Sequence, residues 1–94
     1  MATRMEAARS LCYQAAARIE AGKPDSALSS MAEWYCTEAG VQVVDEAIQL
    51  HGGYGILEDY DVAHYWRDAK VLEIFEGSKE VEKVIVARKI LGKF

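Results

Sequence analysis

An acidic residue, Glu76, stands where a neutral residue would be easier to bury. The stretch IFEGSKE, residues 74–80, places this carboxylate directly after the apolar Ile74 and Phe75 and before Gly77, ahead of what reads as a new helix. A carboxylate removed from water needs compensating contacts. The residues alone leave two interpretations open, a group that takes part in chemistry and a structural feature of a turn.

Other polar groups could also do chemistry, but plainer interpretations are favoured. Asp61 and His64, at i and i+3, could share a helical metal site, but the sequence holds no second such pair, and a surface ion pair is the preferred interpretation. His51 could contact a phosphate, but a histidine near the negative end of a helix dipole is the simpler one. Gly52 and Gly53 could let a ligand approach the backbone, but taken alone they favour an interhelical turn.

Composition describes a packed protein and limits its partners. The chain has 94 residues, of which 51% are hydrophobic, and a single proline, which is typical of one globular domain spanning residues 1–94. The net charge of −4 and the absence of a basic stripe argue against nucleic acid and anionic membranes as partners. Surface ion pairs are the default interpretation of the charged residues in YWRDAK, Arg67, Asp68 and Lys70.

Cysteine usage and apolar runs indicate an intracellular soluble protein. Cys12 and Cys36 both lie on apolar helical stripes without a CxxC spacing, so reduced structural thiols are expected and a metal site is not. The longest apolar run is too short for a membrane span, and no signal peptide is evident. The predicted location is therefore the bacterial cytoplasm or the mitochondrial matrix.

Hydrophobic spacing predicts an all-α fold, an up-and-down bundle of four helices. The second helix is apolar on two faces and must be covered on two sides, so it is predicted to be central. Asp59 or Asp61 could cap the third helix, and Ser78 could cap the fourth, which Gly92 would end. The predicted spans are residues 2–21, 29–51, 61–74 and 78–92.

Three motifs in order resemble one family. The stretches QLHGGYG, residues 49–55, YWRDAK, residues 65–70, and IFEGSKEVEKVIVAR, residues 74–88, resemble the carboxy-terminal helical domain of acyl-CoA dehydrogenases. These flavoenzymes of fatty acid metabolism introduce an α,β double bond into acyl thioesters. The resemblance covers essentially the whole chain and implies a homo-oligomeric parent enzyme with FAD as cofactor, acyl-CoA as substrate and electron-transferring flavoprotein as partner.

The resemblance also assigns roles around Glu76. It implies that Glu76 is the base that takes the α-proton while a hydride leaves the β-carbon, because an apolar pocket raises the basicity of a carboxylate. Phe75 would keep the substrate pocket dry, and Gly77 would let the chain turn beside the substrate. The backbone N–H of Glu76, together with a flavin hydroxyl, would stabilise the enolate-like thioester oxygen.

Cofactor contacts are implied at two further places. Gln49, Gly52 and Gly53 match residues that approach the adenine half of a flavin held mainly by a neighbouring subunit, and Ser78 matches a residue near the flavin of its own subunit. Ser78 replaces the commoner threonine and keeps its hydroxyl. Lys79 departs from the family pattern, which has a small polar residue at that position.

The length leads to two hypotheses. The first is a fragment of an acyl-CoA dehydrogenase, inactive by itself because the remaining walls of the flavin and thioester sites lie elsewhere. The second is a stand-alone helical interaction module that has kept the fold and lost the chemistry. A fragment would lack the partner helices that cover the two-faced second helix, so self-association is expected. Acyl chain length, branching and electron acceptor are left open.

Overall fold

The described residues form four α-helices, which confirms the all-α prediction. The computed structural model describes residues 1–75 and 77–92, so Glu76, Lys93 and Phe94 lie outside the described residues. A short 3₁₀ helix, Gly52–Ile56, follows the second α-helix without a break, and no strand occurs within the described ranges. The helices are α1 (Ala2–Glu20), α2 (Ser26–His51), α3 (Val62–Leu72) and α4 (Lys79–Leu91).

The second helix is the centre of the assembly, as its two apolar faces predict. Helices α1, α3 and α4 each pack against α2, and within the described residues none of these three packs against another. Small residues of α2, among them Ala32 and Ala39, are buried and allow the neighbouring helices to approach closely. Although α2 is about 39 Å long, none of the described helices is both long and apolar enough to cross a membrane.

Polar caps set the helix ends. Helix α2 begins three residues before its predicted start, because the Asp25 side chain accepts hydrogen bonds from the backbone N–H groups of Ala27 and Leu28, at 3.0 and 3.2 Å. Ser78 caps α4 as predicted and accepts from the backbone N–H of Val81 at 3.4 Å. Asp61 occupies the cap position of α3, but its side chain accepts no capping hydrogen bond.

The core is narrow and leaves large apolar side chains exposed. The buried hydrophobic residues among those described are small, namely Ala15, Ala27, Ala32, Ala39 and Val62. Large apolar residues of α1 and α4, such as Ile19, Val81 and Leu91, are mostly exposed, although the spacing predicts them on packed stripes. The reason is that α1 and α4 each contact one helix only, so one side of each has no covering element within the described chain.

An ion pair joins the start of α1 to the second half of α2 and makes stability depend on pH. Arg4 Nη1 donates a hydrogen bond to Glu46 Oε1, which lowers the pKa of Glu46 below its ordinary value of 4.5. A carboxyl whose pKa is lowered by folding stabilises the fold above its unfolded pKa, and this contribution disappears as the pH falls through the folded pKa.

We therefore expect the thermal unfolding midpoint of the chain to fall as the pH is lowered from 6 to 3, and to fall less in a Glu46→Gln variant. The difference should be small because the pair is exposed. Circular dichroism at 222 nm measures the midpoint, and Glu20→Gln, at an exposed position of α1, is the matched control. Identical pH profiles for the Glu46→Gln variant and the unsubstituted chain would contradict a stabilising pair.

Candidate functional site

A buried carboxylate, Glu73, lies at the turn between α3 and α4. Its side chain is only 4% exposed, and its Oε2 atom accepts a hydrogen bond from Lys70 Nζ at 2.8 Å. This bond raises the pKa of the Lys70 ammonium group. Lys79 Nζ lies 3.8 Å from Glu73 Oε1 and also 3.8 Å from Glu38 Oε1 on α2. We call these four residues, Glu38, Lys70, Glu73 and Lys79, the Glu73 network.

Main-chain hydrogen bonds shape the turn on both sides of position 76. The N–H groups of Ile74 and Phe75 each donate to the carbonyl of Val71 at 3.1 Å, which extends α3 by tight turns. The N–H of Lys79, the first residue of α4, donates to the carbonyl of Glu73 at 3.3 Å. Residues 73 and 79 are thus joined directly, and residues 74–78, which we call the Glu76 segment, connect them.

Gly77 is the residue that allows the chain to turn. Its φ of +119° belongs to the region that side-chain-bearing residues rarely adopt. A β-carbon built there would lie 2.8 Å from Oε1 of the buried Glu82 and 3.9 Å from Oε1 of Glu33. The positive φ therefore favours glycine at this position. A side chain there would also require the Glu82 side chain to move.

The apolar residues before Glu76 do not form a buried stretch in this chain. Ile74 is 61% exposed and Phe75 is 48% exposed, whereas the sequence suggested that both precede the turn as buried side chains. The residue that the turn buries is Glu73, which the sequence interpretation did not single out. In the sequence, the one indication of this role was that Glu73 follows Lys70 by three residues. Such pairs are common on solvated helix faces, so this spacing by itself does not indicate burial.

The other predicted cofactor residues lie at the far end of α2. Gln49 is exposed in its last turn, and Gly52 ends the helix with a φ of +65°. A β-carbon at Gly52 or Gly53 would meet no atom within 4 Å, so both glycines border open space. Glu38, which contacts Lys79, precedes Gln49 by 11 residues, or about 16 Å along the helix axis. The structure therefore does not bring Gln49, Gly52 and Gly53 together with Ser78.

The glycine that packing requires is Gly55, which the sequence interpretation did not separate from its neighbours. Gly55 is buried, and a β-carbon there would lie 2.7 Å from the Ile48 carbonyl oxygen and 3.2 Å from His51 Cβ. The 3₁₀ helix is thus held against the last turns of α2 by close backbone approach. This contact determines where the preceding Gly52 and Gly53 lie.

The remaining polar candidates have local partners. His64 Nε2 lies 3.3 Å from Asp68 Oδ2 at i+4, so the acidic partner of His64 on this helix is Asp68, whereas the sequence interpretation paired it with Asp61. His51 Nδ1 donates to the carbonyl of Ala47 at 2.7 Å, in agreement with a histidine at the helix C-terminus. Within residues 1–75 and 77–92, no group of three or more potential ligands could hold a metal ion.

Both cysteines are free thiols in the structure, but only one is partly buried. Cys36 Sγ donates to the carbonyl of Ala8 at 3.2 Å across the contact between α1 and α2, and burial raises the pKa of its thiol. Cys12, expected on a packed stripe, is exposed. The helix contact therefore needs Cys36 as a small apolar residue, and its raised pKa makes it a poor nucleophile.

This architecture defines the class of protein. It is an all-α domain in which three helices pack against one long central helix, and the outer sides of these three helices are exposed. The family follows from comparison. The family model described as acyl-CoA dehydrogenase, C-terminal domain, matches residues 1–91. The chain belongs to the acyl-CoA dehydrogenase family, as the three motifs predict.

Similar proteins agree with this family and are much longer. The chain is 44% identical over 90 residues to the cyclohexane-1-carbonyl-CoA dehydrogenase of Geobacter metallireducens, covering 96% of this chain and 24% of that one. The butyryl-CoA dehydrogenase of Megasphaera elsdenii superposes with a TM-score of 0.94 at 38% identity, over 97% of this chain and 24% of that one. The chain thus spans about a quarter of the length of the relatives that it matches.

A third similar chain is from a structure of the electron transferring flavoprotein of Acidaminococcus fermentans. It superposes with a TM-score of 0.95 at 39% identity and covers 99% of this chain and 24% of that one. The same arrangement of helices is therefore shared among relatives at moderate sequence identity.

Proposed function

We propose that residues 1–94 are part of the carboxy-terminal helical domain of an FAD-dependent acyl-CoA dehydrogenase, in which Glu76 takes the α-proton of the acyl thioester. The match of the family model to residues 1–91, a range that includes the whole Glu76 segment, carries this proposal. The described residues on both sides of position 76 are compatible with it. They are joined by the Glu73 network and by a main-chain hydrogen bond.

The chain's own contribution to the reaction is a base and its immediate surroundings. In the assembled enzyme the Glu76 carboxylate accepts the α-proton, and its backbone N–H donates to the thioester oxygen as negative charge develops there. Phe75 excludes water from the site once other parts of the enzyme cover its exposed side chain. Gly77, with its φ of +119°, lets the chain turn beside the substrate. When bound, FAD supplies the acceptor for the hydride that leaves the β-carbon.

The residues proposed to contact FAD fit a cofactor that is held mostly by other parts of the enzyme. Gly52 and Gly53 border open space, and Gln49 is exposed beside them, so this end of α2 can approach an adenine half but does not enclose it. The Ser78 hydroxyl accepts one hydrogen bond from Val81 and keeps its own hydrogen for a second partner. As the resemblance implies, Gln49, Gly52 and Gly53 would contact the flavin of a neighbouring subunit, and Ser78 the flavin of its own subunit.

We further propose partners from the same assignment. The exposed apolar side chains of α1 and α4 support packing against other parts of the parent enzyme and against further subunits. An electron-transferring flavoprotein as electron acceptor is supported by the similarity to a chain of the structure from Acidaminococcus fermentans. The intracellular location and the acyl-CoA substrate remain predictions of the same kind.

The exposed apolar surface also favours a second candidate function. A stand-alone helical module that binds a partner would present such a surface and would have no need of Glu76. The two candidates differ in what the chain does inside an intact enzyme.

The experiment is a chimera in which this chain replaces the matching segment of the Megasphaera elsdenii butyryl-CoA dehydrogenase. We expect the chimera to bind flavin and oxidise butyryl-CoA, and we expect the 94-residue chain with added FAD to show no rate above its Glu76→Ala variant. A chimera that holds flavin without oxidising butyryl-CoA would favour the interaction module. A rate in the isolated chain that depends on Glu76 would contradict the expectation that the chain is inactive alone.

A further inference from the structure

The Glu73 network connects three helices at the two ends of the Glu76 segment. Glu73 follows α3 directly, Lys79 is the first residue of α4, and Glu38 lies in the middle of α2. Within the described residues α3 and α4 do not pack against each other. Their relative placement at this turn therefore depends on the contacts between residues 73 and 79 and on the contacts of each helix with α2.

We propose that Glu73 is a positioning residue, whose buried carboxylate, held between Lys70 and Lys79, fixes both ends of the segment that carries Glu76. This inference rests on the proposed function, in which the segment must hold Glu76 in position as the base. Glu73 itself touches neither substrate nor cofactor in this proposal. It acts through the backbone positions of residues 74 and 78.

Burial makes the carboxylate effective in this role. The Glu73 side chain is 4% exposed and has lost most of its contacts with water, and the ammonium groups of Lys70 and Lys79 compensate for this loss, so removing one partner of this buried network is expected to weaken the turn. Lys79 contributes at two levels. Its ammonium group lies 3.8 Å from Glu73 Oε1, and its backbone N–H donates to the Glu73 carbonyl at 3.3 Å.

Lys79 also connects the turn to α2 through Glu38. Because Lys79 Nζ lies equally far from Glu73 Oε1 and Glu38 Oε1, its charge is shared between the two carboxylates. This explains why a long cation is tolerated where the resemblance implies a small polar residue. In this chain the lysine gives the start of α4 a charged connection to two other helices.

The first test uses amide hydrogen exchange by NMR in the 94-residue chain. Glu73→Gln keeps the size of the side chain and removes its charge, and we expect the Lys79 amide to exchange about tenfold faster or more, while the Ala39 amide in central α2 is unchanged. Glu58→Gln, at an exposed position without an ion pair among the described residues, is the control and should change neither amide. Unchanged exchange at Lys79 in the Glu73→Gln variant overturns the proposal.

Faster exchange at Ala39 would show that Glu73→Gln unfolds the chain. In that case a second variant tests whether the Glu73 network fixes the turn. Lys79→Met leaves the pair of Lys70 and Glu73 in place and, with a side chain of similar length, removes the charge that connects Lys79 to Glu73 and Glu38. We expect faster exchange at residue 79 in this variant and normal exchange in Lys79→Arg, which restores the charge. Equal exchange in the methionine and arginine variants overturns the proposal.

The second test measures turnover in the butyryl-CoA dehydrogenase chimera. We expect Lys79→Met to lower kcat about tenfold, with flavin content and the KM for butyryl-CoA unchanged, and Lys79→Arg to restore kcat. A loss of kcat that only follows flavin content would indicate a general structural role and overturn the proposal. If Glu76→Gln leaves the chimera fully active, the proposed function is wrong, and the amide exchange rates still report whether Glu73 fixes the turn.

Discussion

Glu76→Gln is expected to lower the rate of butyryl-CoA oxidation by the chimera by about 10²- to 10⁴-fold, the range typical of a lost general base. Glutamine has nearly the same shape as glutamate but cannot accept the α-proton at neutral pH. Flavin content and the affinity for butyryl-CoA should change little, because the substitution removes a charge and not a wall of the site. Stopped-flow flavin absorbance under anaerobic conditions measures the rate.

Glu80→Gln provides the matched control for this substitution. It makes the same chemical change four residues later, at an exposed position in the first turn of α4. We expect its effect to stay within about threefold, the size of a surface charge effect near a helix terminus. Equal rates for the Glu76→Gln and Glu80→Gln chimeras would show that Glu76 is not the base.

Gly55→Ala is expected to destabilise the chain by about 1–3 kcal/mol, which is typical of overpacking at a closely packed position. The added β-carbon would lie 2.7 Å from the Ile48 carbonyl oxygen, a main-chain atom of α2 that can move only with its helix. The 3₁₀ helix must then shift away from α2, and Gly52 and Gly53 move with it. Urea unfolding followed by circular dichroism measures the loss.

Gly53→Ala is the control within the same 3₁₀ helix. A β-carbon there meets nothing within 4 Å, so the change in the free energy of unfolding should stay within about 0.5 kcal/mol. In the chimera, we expect Gly55→Ala to weaken flavin retention as well, because it displaces the proposed cofactor contacts. Similar unfolding curves for the two alanine variants would contradict the close packing of Gly55 against α2.

Periodicity predicted the helices because apolar residues recur in each of them with the spacing of an α-helix, although α1 and α4 bury little of these stripes within the described chain. The prediction was strongest for α2, whose two apolar faces required partners on two sides. In the structure three helices, α1, α3 and α4, pack against it. Helix ends were predicted where one residue type dominates, as at Ser78 and Gly92. The start of α2 was placed too late, because several residues of KPDSALSS could act as caps and only the structure shows that Asp25 does.

The site was predicted less completely, because its contacts join residues distant in sequence. Nothing in the spacing of Glu38 and Lys79, which are 41 positions apart, indicates that they meet at the turn. Glu73 is buried at this turn, whereas the apolar character of Ile74 and Phe75 suggested that these two residues would be buried. Likewise, His64 had acidic residues at both i−3 and i+4, and spacing alone could not choose Asp68.

Deuterium incorporation at the α-carbon of butyryl-CoA tests the role of Glu76 most directly, because it reports proton removal and return without hydride transfer. The chimera and its Glu76→Gln variant, both loaded with flavin that has been reduced beforehand so that it cannot accept a hydride, would be incubated anaerobically in D₂O with butyryl-CoA, and the thioester analysed by mass spectrometry. We expect rapid incorporation of deuterium with the unsubstituted chimera and almost none with the variant. Equal incorporation with both proteins would show that another group removes the α-proton, and would contradict the assignment of Glu76 as the base.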